Sequence, residues 1–508
     1  MSLKRNILAN YASQIYVTLI GILMLPVYLH YMGAEAYGLV GFFTMLNAWF
    51  QLLDMGLTPT LARETARYRG GALDAATLRG LVRALEGIFF SVAILAAAAF
   101  LSLSDWIASA WLSVEQLEVR EVAMAVMLMG FIIPLRWISG LYRGAVNGFE
   151  RQVWLAGFNM LIATARFVGV LAVFELVGTR PTHFFAYQLG VAVIEVLLIA
   201  LMTHRLLPAR STQGPRRASW DALRGMIGFS ATIAFTAGVW VLITQTDKLV
   251  LSKLLPLAEY GYFTLAVLVA GAINLIGAPV AQALMPRMAR LAAEGDEAGM
   301  LSLYRRTTQL VCLLALPAAL TLTVFAEPIL WAWTGDRHAT DKAALVLSLY
   351  AIGNGLLAVS AFPYYLQYAM GDLRLHLIGN ALMLLILIPA LIWATTRYGA
   401  VGAGTAWTSV TVLYFLLWVP LVHRRMHKGL HAGWLGRDVA PIVGVTATMA
   451  WAMAQILHWP EGRVASAALA VAVGLILLLS AAAASSEVRR RVSTRLRPAR
   501  IGTCPRQG

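Results

Sequence analysis

The feature that most constrains this chain is a succession of fourteen long apolar runs along its 508 residues. A helix needs about 20 consecutive apolar residues to cross the hydrocarbon core of a bilayer, and inside lipid its backbone groups must bond within the helix itself. The sequence therefore predicts an all-α, polytopic membrane protein with about 14 transmembrane helices. The runs lie near 8–30, 37–58, 81–103, 122–142, 155–177, 184–203, 226–246, 260–283, 308–331, 343–366, 377–395, 402–422, 438–458 and 464–484.

The composition excludes the soluble classes. Hydrophobic residues make up 59% of the chain and charged residues only 13%, whereas soluble domains carry about 25% charged residues. A net charge of +15 can indicate a nucleic-acid partner, but here the basic residues alternate with the apolar runs instead of forming one patch. We therefore predict no nucleic-acid partner. Two cysteines are too few for a disulfide framework.

The basic residues predict the orientation in the membrane. Of the 40 Lys and Arg residues, 30 fall in segments on the side of the N-terminus and 8 on the opposite side, and Arg136 and Arg166 lie inside spans. Cytoplasmic loops carry the excess of Lys and Arg. Both termini are therefore predicted to be cytoplasmic, which requires an even number of spans.

The chain repeats itself weakly at an offset of 223 residues. Tyr37-Gly38 corresponds to Tyr260-Gly261, and the G-x-x-R pattern that begins at Gly148 corresponds to the one that begins at Gly371. These matches indicate parallel repeats, which place a substrate site at their interface near mid-membrane. The predicted organisation is an N-terminal six-helix lobe (1–204), a cytoplasmic linker (205–225), a second six-helix lobe (226–424), two further helices (425–484) and a basic cytoplasmic tail (485–508).

The chain carries no nucleotide motif and no convincing metal motif. It contains no G-x-x-x-x-G-K-[ST] sequence, so ATP-driven pumping by this chain is not expected. His423, His427 and His431 have the spacing of a helical metal stripe, but neighbouring arginines and Lys428 crowd them with positive charge. We interpret this segment as a basic cytoplasmic loop and predict no metal and no cofactor.

Polar residues inside the second run form a stripe. Asn47, Gln51 and Asp54 share an arc of about 80° of the helix with two threonines. Lipid does not tolerate such a face, so these side chains are expected to face a cavity or another helix.

Charged residues stand inside three further runs. Arg136 lies in span four and Glu195 in span six, whereas Asn159 and Arg166 lie on one side of span five. A charge within the membrane is expensive and marks a functional site by default. Two interpretations stay open here: a hydrated cationic site, or an Arg166–Glu195 ion pair that only fixes helix packing.

Several segments resemble the Wzx-type polysaccharide and O-antigen flippases of the multidrug/oligosaccharidyl-lipid/polysaccharide exporter superfamily. The similarity is diffuse and covers most of residues 1–425. The segments are G33-A-E-A-Y-G38, L53-D-M-G-L57 followed by Arg63, G144-A-V-N-G-F-E-R151 with Asn159, and D247-K-L-V-L-S252 followed by Y260-G-Y262.

This resemblance implies two six-helix lobes around a central cavity in the bacterial inner membrane. It also implies movement of undecaprenyl-pyrophosphate-linked oligosaccharides, the repeat units of O-antigen or exopolysaccharide, by alternating access coupled to an H⁺ or Na⁺ gradient. Membrane lipids, a polysaccharide polymerase and a chain-length regulator are the partners that this role implies.

Within this resemblance each candidate residue receives a role. Arg166 and Arg136 are expected to hold the pyrophosphate, because guanidinium groups favour such anions. The polar residues Asn159, Asn47 and Gln51 complete the expected substrate site. Asp54 and Glu195 are the candidates for ion coupling, as carboxyl groups that load and release a proton.

Three alternatives remain. The sequence gives little reason to exclude a lipid II flippase. A multidrug antiporter of the same superfamily would favour acidic residues in its cavity rather than arginines. A membrane glycosyltransferase or polymerase would need a large periplasmic segment, whereas the longest predicted outer segment has about 18 residues. The chain is therefore expected not to be an enzyme.

Overall fold

A computed structural model describes residues 3–208 and 238–490. Within these residues, 12 helices are long and apolar enough to cross a membrane. Large apolar side chains such as Leu95, Leu197 and Leu417 stand exposed on their outer faces, as expected for surfaces that contact lipid rather than water. The prediction of an all-α polytopic membrane protein is confirmed.

The number of spans differs between the sequence and the described helices for two reasons. One candidate span, Arg374–Met426, is 53 residues long and contains the runs 377–395 and 402–422. At Gly399 the backbone has φ 57° and ψ −141°, a conformation that residues with a Cβ avoid, so the helix breaks between the two runs. The predicted span 226–246 begins outside the described residues, and the count of fourteen stays a prediction.

The chain divides into two compact units, Met1–Leu265 and Ala266–Gly508. The first unit is built around α5, which packs against α4 and α8. Its helices are α1 (Leu3–Met32), α2 (Ala34–Phe50), α3 (Leu57–Arg69), α4 (Ala75–Trp106), α5 (Val119–Gly148), α6 (Gln152–Phe167), α7 (Val170–Leu176), α8 (Pro181–Leu206), α9 (238–254) and the first turns of α10 (Leu257–Gly271).

Aromatic packing fixes α5 against α4. The Trp137 ring stacks on Phe89 with ring centroids 3.9 Å apart, and Phe50 meets the same indole edge-on. Leu85 and Leu141 are fully buried beside them. Neighbouring residues of a helix point in different directions. Because Trp137 packs against α4, Arg136 points away from α4.

Equivalent residues of the predicted repeat meet where α2 crosses α10. A Cβ on Gly261 would lie 2.7 Å from the carbonyl oxygen of Ala34, and a Cβ on Gly38 would clash with that of Leu257. Each of these contacts maps onto the other at the offset of 223 residues, because 34 corresponds to 257 and 38 to 261. The two helices therefore approach each other closely at these two glycines, and a local two-fold relation connects the two contacts.

The first turn of α2 also holds the segment between α4 and α5. The Glu35 carboxylate is buried and accepts hydrogen bonds from the backbone N–H groups of Glu115, Gln116 and Leu117 at 2.6, 2.8 and 2.8 Å. Charge-assisted bonds of this kind are stronger than neutral ones. Glu35 lies in the first of the segments that carry the family resemblance, and its role in the structure is to fix this loop.

The second unit has its own core, in which Cys312, Phe362 and Trp434 are buried. Its helices are α11 (Gly277–Ala293), α12 (Glu297–Val324), α13 (Ala326–Thr334), α14 (Arg337–Ser360), α15 (Phe362–Met370), α16 (Arg374–Leu413), α17 (Val419–Met426), α18 (Leu430–Trp434), α19 (Ala440–Ile456) and α20 (Arg463–Ala484).

The histidine segment differs from the expected basic loop. The helix ends at Met426, so the three histidines do not form one helical stripe. His423 is fully buried, bonds the Tyr304 hydroxyl at 2.6 Å and has its Nδ1 3.0 Å from Nδ1 of His431. This turn folds back into the protein because its aromatic neighbours offer a core that sequence spacing does not reveal.

The predicted lobe boundaries stay a prediction. The first compact unit includes 238–254, which the sequence assigned to the second lobe. Most of the predicted linker 205–225 and of the tail 485–508 lies outside the described residues.

Candidate functional site

The charged side chains predicted from the sequence converge in the first unit. α5 carries Arg136 and Arg143 two turns apart, α6 ends next to Arg166, and α8 carries Gln188 and Glu195 two turns apart. Residues seven apart lie on the same face of a helix. The three helices thus present one line of polar groups to one another.

Glu195 is the centre of this arrangement. Its side chain is 1% exposed, its Oε1 accepts from Arg143 Nη2 at 2.5 Å, and its Oε2 accepts from Arg166 Nη2 at 2.6 Å. A buried carboxylate is stable only when paired and hydrogen-bonded. Both oxygens are used, so Glu195 is a bridge between α5 and α6.

Gln188 links the third arginine to the same cluster. Its Oε1 accepts from Arg136 Nη2 at 2.7 Å, and its Nε2 donates to the backbone oxygen of Arg166 at 2.9 Å. The Arg136 guanidinium also lies 4.8 Å from the centroid of the Phe43 ring of α2, a cation–π distance. We call Arg136, Arg143, Arg166, Gln188 and Glu195 the arginine cluster.

The arginine cluster carries an excess of positive charge. Three guanidinium groups face one carboxylate, and the side chains of Arg143 and Arg166 are 34% and 21% exposed while Glu195 is not. Exposed faces of charged groups within spans look into hydrated space, since lipid excludes them. The accessible surface of the cluster is therefore cationic.

Hydrogen-bonding groups remain unused at the cluster and beside it. The Nε atoms of Arg136, Arg143 and Arg166 are buried without an acceptor among the described residues, and so is Oδ1 of Asn159 without a donor. Buried polar groups normally find a partner. Asn159 lies two turns before Arg166 on α6, as the sequence predicted.

The predicted stripe on the second span lies further along α2. Asn47 is one turn beyond Phe43, the ring under Arg136, and Gln51 and Asp54 open and close a 3-10 turn after the helix. Asp54 is bonded locally, because its carboxylate accepts from the side chain and backbone N–H of Thr58. No contact in the described structure joins these three residues to the cluster.

Sequence reasoning missed Arg143 and Gln188. The predicted fourth run, 122–142, ends one residue before Arg143, but α5 continues to Gly148. The signal was present in the spacing, because Arg143 follows Arg136 by two helical turns. Gln188 precedes Glu195 by the same interval.

A family model described as "Polysaccharide biosynthesis protein" matches residues 3–292. The chain belongs to this family. A member of the curated proteins, "Putative O-antigen transporter" of Shigella flexneri, is 19% identical over 417 residues, which are 82% of this chain and 97% of the relative. The protein of the same description from Salmonella typhi is 21% identical over 286 residues, 56% of this chain and 64% of the relative.

Solved structures share the fold of this family member. The lipid II flippase MurJ in an inward closed conformation superposes with a TM-score of 0.71 at 12% identity, covering 97% of this chain and all of that one. An inward-facing multidrug resistance MATE transporter of the MOP superfamily gives 0.61 at 14% identity, covering 81% and 96%. The predicted resemblance is confirmed, and so is its coarse functional class, a membrane transporter or flippase rather than an enzyme.

Proposed function

We propose that this protein moves undecaprenyl-pyrophosphate-linked oligosaccharides, the repeat units of O-antigen or exopolysaccharide, across the bacterial inner membrane by ion-coupled alternating access. The observation that carries the proposal is the excess positive charge of the arginine cluster within the spans of α5, α6 and α8. The family description and the two curated relatives support the choice of substrate class.

The pyrophosphate is the part of such a lipid-linked sugar whose transfer through the membrane costs the most free energy. Moving an ionised group out of water costs many kcal/mol unless the charge is paired and hydrogen-bonded. Guanidinium groups offer planar, bidentate donors that match phosphate oxygens, which ammonium groups do not. Arg143 and Arg166 each use one terminal nitrogen to bond Glu195. Other N–H groups of both arginines can therefore donate to the anion.

Glu195 keeps the arginines in place without cancelling their charge. A single carboxylate between two guanidinium groups leaves a net charge of +1, and Arg136 raises it to +2. This charge suits a dianionic pyrophosphate. The unpaired Asn159 amide oxygen can accept a sugar hydroxyl from the same ligand, and Asn47 and Gln51 extend the polar surface along α2.

A lipid II flippase is the second candidate, because MurJ shares the fold over nearly the whole chain. Both cargoes are lipid-linked pyrophosphates, so the arginine cluster suits either. A cation antiporter is less compatible with three arginines in one cluster. Coupling to an H⁺ or Na⁺ gradient through Asp54, with Glu195 as the other carboxyl group, belongs to the proposal, as do partnership with a polymerase and a chain-length regulator.

The test replaces Arg166 in a strain that depends on this protein for its surface polysaccharide. Removing a charged hydrogen-bond donor costs about 1.5–3 kcal/mol, so Arg166→Gln should reduce export roughly tenfold or more, whereas Arg166→Lys should retain part of it. Surface polysaccharide is measured at equal membrane levels of each variant. Arg180→Gln is the control, because Arg180 is exposed at the start of α8, and it should export normally.

A double variant tests whether Arg166 acts only by pairing with Glu195. Arg166→Gln with Glu195→Gln keeps the net charge of the cluster at +2 but removes the Arg166 guanidinium. We expect it to insert normally and export poorly. Wild-type export by this double variant would show that Arg166 only pairs with Glu195, and the proposed role in binding pyrophosphate would be lost.

A further inference from the structure

The second unit contains a basic cavity of about 650 Å³ at one end of its helices. Its walls include the first four turns of α12, the turn 427–429 between α17 and α18, and residues 486–490 after α20. All these helices begin or end at the cavity, and each belongs to a candidate membrane span. If these candidate spans cross the bilayer, their ends and the cavity between them lie at the depth of the headgroups.

The floor of this cavity is a fixed polar network. Arg305 donates through Nε to Asp438 Oδ2 at 2.5 Å, and Gln309 Nε2 donates to Asp438 Oδ1 at 2.7 Å. Gln309 Oε1 accepts from the Ser485 hydroxyl at 2.8 Å and from the backbone N–H of Glu487 at 3.0 Å. Asp438 and Gln309 are buried, and their hydrogen bonds tie α12 to the start of the span that contains Asp438 and to the segment after α20.

The rim of the cavity carries the excess charge. Four cationic side chains line the cavity against two carboxylates, and Asp438 is already bound to Arg305. Arg306 and Arg490 share Glu487, at 3.8 and 2.8 Å, whereas Lys428 projects from the turn as an exposed residue. Arg306 is 48% exposed, so its guanidinium is available to a further anion.

We propose that this cavity binds the phosphate of an anionic phospholipid headgroup. Basic pockets between transmembrane helices on the cytoplasmic side are suited to such headgroups, and the charge count predicts this end to be cytoplasmic. The cavity uses none of the residues of the arginine cluster. A lipid bound here bridges α12 to the segment that follows α20 and stabilises the C-terminal spans.

The experiment titrates the full-length protein, purified in detergent, with short-chain phosphatidylglycerol, with phosphatidylcholine of equal chain length, and with inorganic phosphate. Binding is followed by native mass spectrometry and by thermal unfolding. Arg306→Gln with Lys428→Gln should weaken phosphatidylglycerol binding at least tenfold. Arg425→Gln with Arg437→Gln removes two charges from exposed residues outside the cavity and should leave it unchanged.

Three results would overturn the proposal: unchanged affinity in the Arg306 and Lys428 variant, equal affinity for phosphatidylcholine, or binding of inorganic phosphate as tight as that of the lipid. The last result would identify a site for a soluble phosphate. Where the double variant fails to fold, Lys428→Gln alone serves, because Lys428 is exposed in a turn, and it should weaken binding about threefold. None of these readouts involves polysaccharide export, so they stand apart from the proposed function.

Discussion

Glu195 has an observed role in pairing two arginines and a proposed role in ion coupling, and its position alone does not separate them. Both of its oxygens are bound, one to Arg143 and one to Arg166. As a carboxyl group inside a span it is also the kind of group that can load a proton. Loss of its charge would leave two guanidinium groups repelling each other, so we expect its substitution to affect folding as well as export.

Glu195→Asp isolates the geometric part of this role. Aspartate keeps the charge but is one methylene shorter, so it reaches only one of the two arginines. Losing one charge-assisted hydrogen bond costs about 1.5–3 kcal/mol, and we expect a lower unfolding temperature with export reduced roughly tenfold. Thermal unfolding of the purified protein and surface polysaccharide measure the two effects. An Asp variant with wild-type stability and export would show that the double bridge is dispensable.

Asp54 allows a cleaner test of ion coupling. Its carboxylate accepts hydrogen bonds from Thr58 and from the backbone N–H of Gly56, and an asparagine oxygen can accept such bonds as well. Asp54→Asn should therefore preserve the turn and the membrane level while abolishing gradient-driven export. Thr58→Val, which removes the hydroxyl donor but keeps the carboxylate, should retain coupling. Full export by Asp54→Asn would remove Asp54 from the proposed ion pathway.

At the scale of elements, the crossing of α2 and α10 depends on the absence of two side chains. A Cβ on Gly261 would lie 2.7 Å from the Ala34 oxygen, closer than atoms approach without displacement. Gly261→Ala should push the helices apart and destabilise the protein by about 1–3 kcal/mol, the usual cost of overpacking. Thermal unfolding and export measure this effect.

Gly140 provides the matched control for this substitution. It lies within α5, and a Cβ built on it meets nothing within 4 Å. Gly140→Ala should leave both stability and export unchanged. Equal behaviour of the Gly261 and Gly140 variants would contradict the close approach of α2 and α10.

A second prediction at the scale of structural elements concerns the loop that the Glu35 carboxylate bonds. Its three hydrogen bonds to the backbone of residues 115–117 should slow amide exchange in that loop. Glu35→Gln loses the charge and replaces one of the two acceptor oxygens with an NH2 donor, so at least one of the three N–H groups loses its acceptor and the bonds that remain are weaker. Hydrogen-exchange mass spectrometry should show faster exchange at 115–117 in this variant but not in Glu118→Gln, where the exposed side chain makes no capping bond. Unchanged exchange would mean that other contacts hold the loop.

At the scale of the whole molecule, the open question is topology. The 30 to 8 distribution of basic residues predicts that reporter fusions after residues 113, 337 and 461 lie in the periplasm, and those after 70, 215 and 490 in the cytoplasm. The scheme requires the long segment Arg374–Met426 to cross twice, and the break at Gly399 separates the two apolar runs that would make these crossings. A periplasmic signal from the fusion at 490 would contradict both the orientation and the even number of spans.

The sequence alone determined the class of fold and most of the span positions. Whether a run of residues can enter lipid depends on its own length and apolarity, so thirteen of the fourteen predicted runs overlap the 12 candidate spans of the described structure. Arg136, Arg166 and Glu195 could also be singled out, because a charge inside an apolar run is conspicuous by itself.

Only the tertiary structure decided how these charges are paired. Glu195 bonds Arg143 as well as Arg166, and Gln188 joins Arg136 to them. The choice of partner depends on which faces of α5, α6 and α8 meet, over sequence separations of 29 and 52 residues. A helical pattern specifies the faces of one helix but not its neighbours, and so the arginine cluster and the basic cavity of the second unit became visible only when the helices were packed.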